Sequence, residues 1–194
     1  QYQRSNEHIE WLKDKFKNVT SFNVDLTSSF EQISVDLSNN IQDHLTMANV
    51  RARLRMTTLY AYAGHYGYLV AGTGNKVEDF GVGFFTKYGD GGVDISPIAD
   101  LMKTEVFSLA KELDIIQSIQ VARPTDGLWG DDRSDEDQIG ANYPELEWAM
   151  TFEGDETTIS NREQEVLAIY RKLNKANQHK MIPIPVCVVP ESLK

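Results

Sequence analysis

AGTGNKVEDFGVGFFTKYGDGGVDISPIADLMK, residues Ala71 to Lys103, concentrates glycines, acids and lysines beyond what a plain connector requires. Seven of its residues are glycine, at positions 72, 74, 81, 83, 89, 91 and 92. Glycine reaches positive φ and lets other atoms approach the backbone closely, at an entropic cost, so the stretch reads as a ligand loop. Just upstream, Tyr68-Leu-Val-Ala71 is a short apolar run that follows a glycine. Its pattern is that of a buried strand whose carboxyl end delivers the loop to the edge where open α/β sheets bind ligands.

Two common phosphate-binding motifs are excluded. A dinucleotide fingerprint needs a glycine three places after Gly74, where Val77 stands, and no Walker sequence ending in Gly-Lys-Ser or Gly-Lys-Thr occurs. What remains is Gly72-Thr-Gly-Asn-Lys-Val-Glu78, Phe84-Phe-Thr-Lys-Tyr-Gly-Asp-Gly-Gly92, Asp94-Ile-Ser-Pro97 and Lys103. Further out lie Arg53-Leu-Arg55-Met56, Arg123-Pro-Thr-Asp126 with Asp131-Asp132, and His179-Lys180.

Together these segments, which span nearly the whole chain, resemble the NAD synthetases, enzymes that amidate deamido-NAD using ATP and ammonia. The resemblance implies an α/β fold of the adenine-nucleotide α-hydrolase type, Rossmann-like, with a parallel sheet flanked by helices and one domain over residues 1–194. By motif position it makes Glu78 the magnesium ligand. Thr73, Lys103 and Thr125 become ATP contacts, and Arg53, Lys87, Asp94, His179 and Lys180 become deamido-NAD contacts. Mg²⁺ is the implied cofactor, ATP and ammonia the co-substrates, and a homodimer with long helices packed across the two-fold the implied assembly. The family's amino-terminal Ser-Gly-Gly-x-Asp-Ser loop, which holds the ATP pyrophosphate, has no counterpart in these residues. The domain is therefore expected to lack its first strand and that loop, to expose an apolar edge, and to be inactive as an isolated chain. The alternatives are a non-catalytic dinucleotide-binding or dimerising fragment, or another ATP-pyrophosphatase-type ligase. The Phe84–Gly92 run argues against the last.

Composition agrees with a single packed domain, at 194 residues with 41% hydrophobic and 25% charged. A formal charge of −10 disfavours nucleic acid and anionic membrane as partners. The basic residues gather where the loop places a ligand, with Arg51, Arg53 and Arg55 in one stretch and Lys76, Lys87 and Lys103 around the glycines. Cys187 is the only cysteine, so no internal disulfide forms. No signal peptide and no apolar run of membrane length is seen, which makes the cytoplasm the default location.

Periodicity predicts helices over Glu7–Lys17 with Asn6 as cap, Ser28–Leu37, Asn40–Gly64 and Leu101–Leu113 with Asp100 as cap. Helix starts are also expected at Ser134–Asp137 and in the Ser160–Glu163 capping box, and a helix over Glu145–Phe152. Ser21–Leu26 alternates like a strand, and Met181–Pro190, with three prolines, is expected to be extended. Within Asn40–Gly64, Arg51 and Arg55 share a face while Arg53 points elsewhere. Lys103 falls in a first helical turn, where the dipole disfavours a cation, so a phosphate between the two is the expected explanation. Asp79, Asp90, Asp131 and Asp132 carry no assigned role. Trp129, in the Arg123–Arg133 cover loop, is the one tryptophan placed to shield a site.

Overall fold

The computed structural model describes residues 1–125, 127–128 and 134–194. α1 (Tyr2–Lys15) starts earlier than its apolar period suggested, so Asn6 lies inside the helix rather than capping it. Ser21–Leu26 forms no strand. Its alternation supplies the side-chain pattern, but no backbone among the described residues pairs with it, and a strand exists only through its partner's hydrogen bonds. The segment ends where the Asp25 carboxylate accepts the Thr27 amide and hydroxyl at 2.9 and 2.6 Å, which starts α2 (Thr27–Asp36).

A 3₁₀ turn over Asn39–Ile41 precedes α3 (His44–Tyr66). α3 begins later than expected because the Asp43 carboxylate, rather than Asn40, caps it, accepting from the Thr46 amide at 3.0 Å and hydroxyl at 2.6 Å. It ends at Gly67, which adopts φ +69°. Met47, Ala48, Ala52, Met56 and Ala63 are its buried stripe.

The expected strand at Tyr68–Ala71 is reduced to a single parallel bridge between Ala71 and Ile95. The Asp94 and Ile95 amides both donate to Val70 O (2.9 and 3.2 Å), and the Gly72 amide donates to Ile95 O (2.7 Å). No longer ladder forms among the described residues, and Tyr68 and Leu69 are 67% exposed.

A π-helical turn, Val77–Val82, follows the bridge. Such wide turns are rare and recur at functional sites. The Asn174 and Asn177 side chains donate to Gly81 O and Val82 O, both at 2.8 Å, satisfying carbonyls at the end of the turn. Gly83 closes it at φ +61°, where an added Cβ would lie 2.5 Å from Asn177 Cβ.

α4 (Lys103–Glu112) is capped by Met102, not Asp100, because Asp100 pairs with Lys76 at 2.9 Å. A short α5 (Gln117–Gln120) leads to α6 (Asp135–Ile139), capped by Ser134. α7 (Tyr143–Thr151) is capped by Asn142 with Pro144 in its first turn, and α8 (Asn161–Met181) by Ser160 with Glu163 completing the box. Residues from Met181 to Pro190 carry no regular structure beyond the end of α8. The main core joins the π turn to α6, α7 and α8 through Val77, Val82, Ile139, Leu146, Val166 and Leu167. A smaller cluster of Met56, Ala63 and Val70, with Val93 against it, fastens α3 to the bridge. No helix among the described residues is long and apolar enough to cross a membrane.

Two glycine substitutions should act in opposite directions. Gly83→Ala is expected to lower unfolding stability by more than about 1 kcal/mol, because the site needs positive φ and has no room. Gly64→Ala, exposed in the interior of α3 with open space at its Cβ position, should raise stability by roughly 0.5–1 kcal/mol. Urea unfolding of both variants checks the pair.

Candidate functional site

The site begins where the bridge ends. Asn75 is 1% exposed, and its Oδ1 accepts the Val77 and Glu78 amides at 3.0 and 3.1 Å, which launches the π turn and fixes Glu78 at its start. Glu78 Oε1 takes two donors, Lys103 Nζ at 2.8 Å and the Tyr143 hydroxyl. Glu78 Oε2 accepts only a long contact of 3.3 Å from the Asn75 amide. The two ionic side chains are 14% and 18% exposed, and Lys103 Nζ stands 4.7 Å over the Tyr143 ring. Burial, then the Glu78 charge and hydrogen bond, hold the Tyr143 phenol far above its ordinary pKa, so it acts as a donor only.

A cleft of 420 Å³ opens beside this pair. Arg55, Thr73, Glu78, Asp90, Thr125 and Asp135 are its hydrogen-bonding side chains among the described residues. Thr125 also lines a neighbouring cavity of 440 Å³, which Lys103 enters from the other side of the wall. The Thr125 hydroxyl accepts from Gln1 Nε2 at 2.6 Å. Of the residues singled out in the sequence, Glu78, Thr73, Lys103 and Thr125 thus come together.

A second group assembles apart from the cleft. Arg53 Nε donates to Lys87 O at 3.2 Å, Lys87 Nζ to His179 O at 2.6 Å, and Lys180 Nζ to Phe85 O at 2.7 Å. The two lysines therefore cross, each holding the backbone beside the other. Burial lowers the Lys180 pKa, and the Asp90 charge opposes that shift. Asp94 stands elsewhere: its Oδ1 accepts from the Tyr60 hydroxyl at 3.1 Å and its Oδ2 from the Val70 amide at 2.8 Å. It fastens α3 to the bridge.

The glycines approach the chain's own atoms. A Cβ on Gly72 would lie 2.8 Å from Val93 Cγ2, on Gly74 2.1 Å from the Asp79 carboxylate, and on Gly91 2.2 Å from the Phe85 ring. Close approach is what this segment requires, as expected, but the neighbour is protein. Lys103 differs in a similar way. The first amides of α4 are already met by carboxylates, Thr104 N by Glu147 at 2.9 Å and Met102 N by Glu105 at 2.7 Å, and the lysine turns to Glu78. Arg51 and Arg55, which share a face of α3, donate to Leu128 O and Gly127 O at 3.1 and 3.3 Å.

Tyr143 and Asn75 went unnoticed in the sequence. A lone tyrosine opening a capped helix looks like core, and its bond to a residue 65 positions away leaves no local signal. Asp126, Trp129, Asp131 and Asp132 lie outside the described residues.

A family model described as NAD synthase matches residues 2–183. The chain belongs to the NAD synthase family. It is 37% identical over 161 residues to the NH₃-dependent NAD⁺ synthetase of Carboxydothermus hydrogenoformans, spanning 81% of this chain and 62% of that relative. To the same enzyme of Mycoplasma genitalium it is 40% identical over 153 residues, 78% of this chain and 60% of the relative. The chain thus spans about three fifths of the length of these NAD synthases. Among solved structures, the NMN synthetase of Francisella tularensis superposes with a TM-score of 0.81 at 30% identity, covering 98% of this chain and 72% of that one. The NH₃-dependent NAD synthetase of Campylobacter jejuni superposes with a TM-score of 0.65 at 22% identity over 85% of this chain and 64% of that one, a likeness of fold. These neighbours assign the chain the α/β fold of the ATP-pyrophosphatase type.

Beside Glu78, the Asp79 carboxyl is pushed up to about 6 by burial, then by the Glu78 and Asp90 charges. Burial likewise raises Asp90. A carboxyl whose pKa rises on folding binds its proton more tightly in the native state, so its contribution favours the native state at low pH and is lost as pH rises from about 4 to about 6. Asp79→Asn should flatten the fall of the thermal midpoint across that window, leaving a smaller slope from Asp90. Parallel pH-dependent melts of the two proteins check this.

Proposed function

We propose that this chain carries the ATP-, magnesium- and pyridine-nucleotide-binding residues of an enzyme that converts the carboxylate of deamido-NAD into the carboxamide of NAD. The observation that carries the proposal is the Glu78–Lys103 pair in the wall between two adjoining cavities, flanked by Thr73 and Thr125. Making an amide from a carboxylate needs an activated acyl group. A carboxylate oxygen attacks the α-phosphorus of ATP, pyrophosphate leaves, and an acyl adenylate results. Ammonia then adds to the acyl carbon, loses a proton, and AMP departs with the electron pair of the broken C–O bond.

Lys103 is the cation available to the departing pyrophosphate, and the Thr73 and Thr125 hydroxyls are available to phosphate oxygens. The Glu78 oxygen that carries only a long amide contact suits a magnesium ion delivered by the nucleotide, since Mg²⁺ binds through one or two carboxylates plus substrate phosphates. When bound, such an ion would withdraw charge from the phosphates. Arg53, Lys87, Asp94, His179 and Lys180 are the proposed deamido-NAD residues.

The same proposal takes residues 1–194 as one domain, with a parallel sheet that the Ala71–Ile95 bridge begins. It places the protein in the cytoplasm as a homodimer joined through α3, whose Leu45 and Leu59 are 62% and 52% exposed. A second acceptor is supported by the likeness to NMN synthetase over 98% of the chain, namely nicotinate mononucleotide. Parallel assays with deamido-NAD and nicotinate mononucleotide, following AMP and the amide product, decide between the two. Amide formation from neither, by the folded full-length protein, rejects the proposal.

Two variants test the residue roles. Lys103→Ala should lower kcat/KM for ATP by roughly 100-fold, corresponding to about 3 kcal/mol of lost charge stabilisation. Glu78→Gln should move the magnesium dependence to higher concentration. An unaltered magnesium titration would return Glu78 to a purely structural part.

A further inference from the structure

Tyr143 touches both members of the ion pair in the cleft wall. It is 2% exposed, its hydroxyl donates to Glu78 Oε1, and its ring centre lies 4.7 Å from Lys103 Nζ. A ring face attracts a cation, and an ionised carboxylate only accepts hydrogen bonds, so one side chain meets the cation through its face and the anion through its edge. Asp135 Oδ2 stands 3.4 Å from the same hydroxyl, a longer contact that competes poorly with Glu78 for the single proton.

The residue is itself held firmly. Its amide donates to Glu136 Oε1 at 3.0 Å, the Asn142 cap of α7 accepts the Glu145 amide at 2.9 Å, and further along the helix Leu146 and Ala149 are buried in the main core. Glu78 has two oxygens in unequal company. Oε1 is taken by Lys103 and Tyr143, while Oε2 accepts only the 3.3 Å contact from the Asn75 amide. Lys103 alone does not decide this, because an ammonium is a point charge on a flexible four-carbon stem and sits equally well against either oxygen. A phenol fixed by a helix start and a packed core has one place to be. The hydroxyl therefore decides which oxygen of Glu78 is satisfied and which is left available.

We propose that Tyr143 is a positioning residue, which locks Glu78 through Oε1 so that Oε2 is left for a hard cation and seats Lys103 with its ring face; this rests on the roles proposed above for Glu78 and Lys103. Tyr143 touches no substrate and acts through these two neighbours. Its two contacts are chemically separable. Tyr143→Phe keeps the ring under Lys103 and removes only the donor to Glu78, whereas Tyr143→Leu removes both.

Calorimetric titration of the full-length protein with ATP over a series of magnesium concentrations tests this, with turnover followed in the same samples. Tyr143→Phe should raise the half-saturating magnesium concentration about tenfold or more, the range for loss of a group that orients a metal-binding side chain. Its ATP affinity at saturating magnesium should be unchanged. Tyr143→Leu should raise the magnesium requirement as much and also weaken ATP at saturating magnesium by about fivefold or more, because Lys103 loses its aromatic seat. Tyr170→Phe, which removes a phenol hydroxyl packed against the same core, should move neither quantity. A folded Tyr143→Phe with an unaltered magnesium titration overturns the proposal, even if it melts at lower temperature, and so does an equal loss of magnesium and ATP affinity, which marks a general loosening of the core. Glu78→Gln measured alongside separates the two readings. A magnesium shift in Glu78→Gln without one in Tyr143→Phe rejects the positioning role alone, and no shift in either rejects it together with the role of Glu78.

Discussion

The nearly buried ion pair between Glu78 and Lys103 sets the position of everything around it. Removing one member of such a pair strands the other charge and costs about 3–5 kcal/mol, whereas the intact pair contributes little net stability. Its value here is geometric. Lys103 opens α4, Glu78 sits in the π turn, and Tyr143 of α7 donates to the same carboxylate oxygen, so three elements distant in sequence converge on one atom. Thr73 and Thr125 line the cleft beside this convergence.

A second layer of fastening uses lysine and arginine on backbone carbonyls. Lys87 and Lys180 cross between the Phe84–Gly92 turn and the end of α8, while Arg51 and Arg55 reach from α3 to Leu128 and Gly127. A carbonyl is a weaker partner than a carboxylate and leaves the cation's charge uncompensated. The Lys87 ammonium therefore keeps its net charge while its position is fixed, an arrangement suited to meeting anionic ligands, whereas Lys180 is half-buried and faces the Asp90 charge.

The helices were legible wherever a local signal carried them. Ser134, Ser160 and Asp43 are caps whose side chains accept the amide three residues ahead, and Ser134 and Ser160 are visible as helix starts in the sequence. What depended on distant partners was not. Ser21–Leu26 has a strand's alternation but no neighbour, and Asp100 has a cap's chemistry but pairs with Lys76 instead. At the site, the glycine density correctly indicated close approach, yet composition does not say whether the approaching atoms belong to a ligand or to Val93, Asp79 and Phe85. Tyr143 was invisible because a buried phenol differs from a packed aromatic only through its partner.

Although the net charge is −10, the acids around the cleft are neutralised locally. Glu78 faces Lys103, and Asp94 gives both oxygens to a hydroxyl and an amide. Asp79 is displaced toward its neutral form by burial and by its acidic neighbours, and Asp90 is raised by burial with Lys180 acting against the shift. Each acid near the cleft is thus paired, hydrogen-bonded or nearer to protonation than an exposed carboxylate. The remaining negative charge sits on outer surfaces, where solvent and salt screen it within about 8–10 Å.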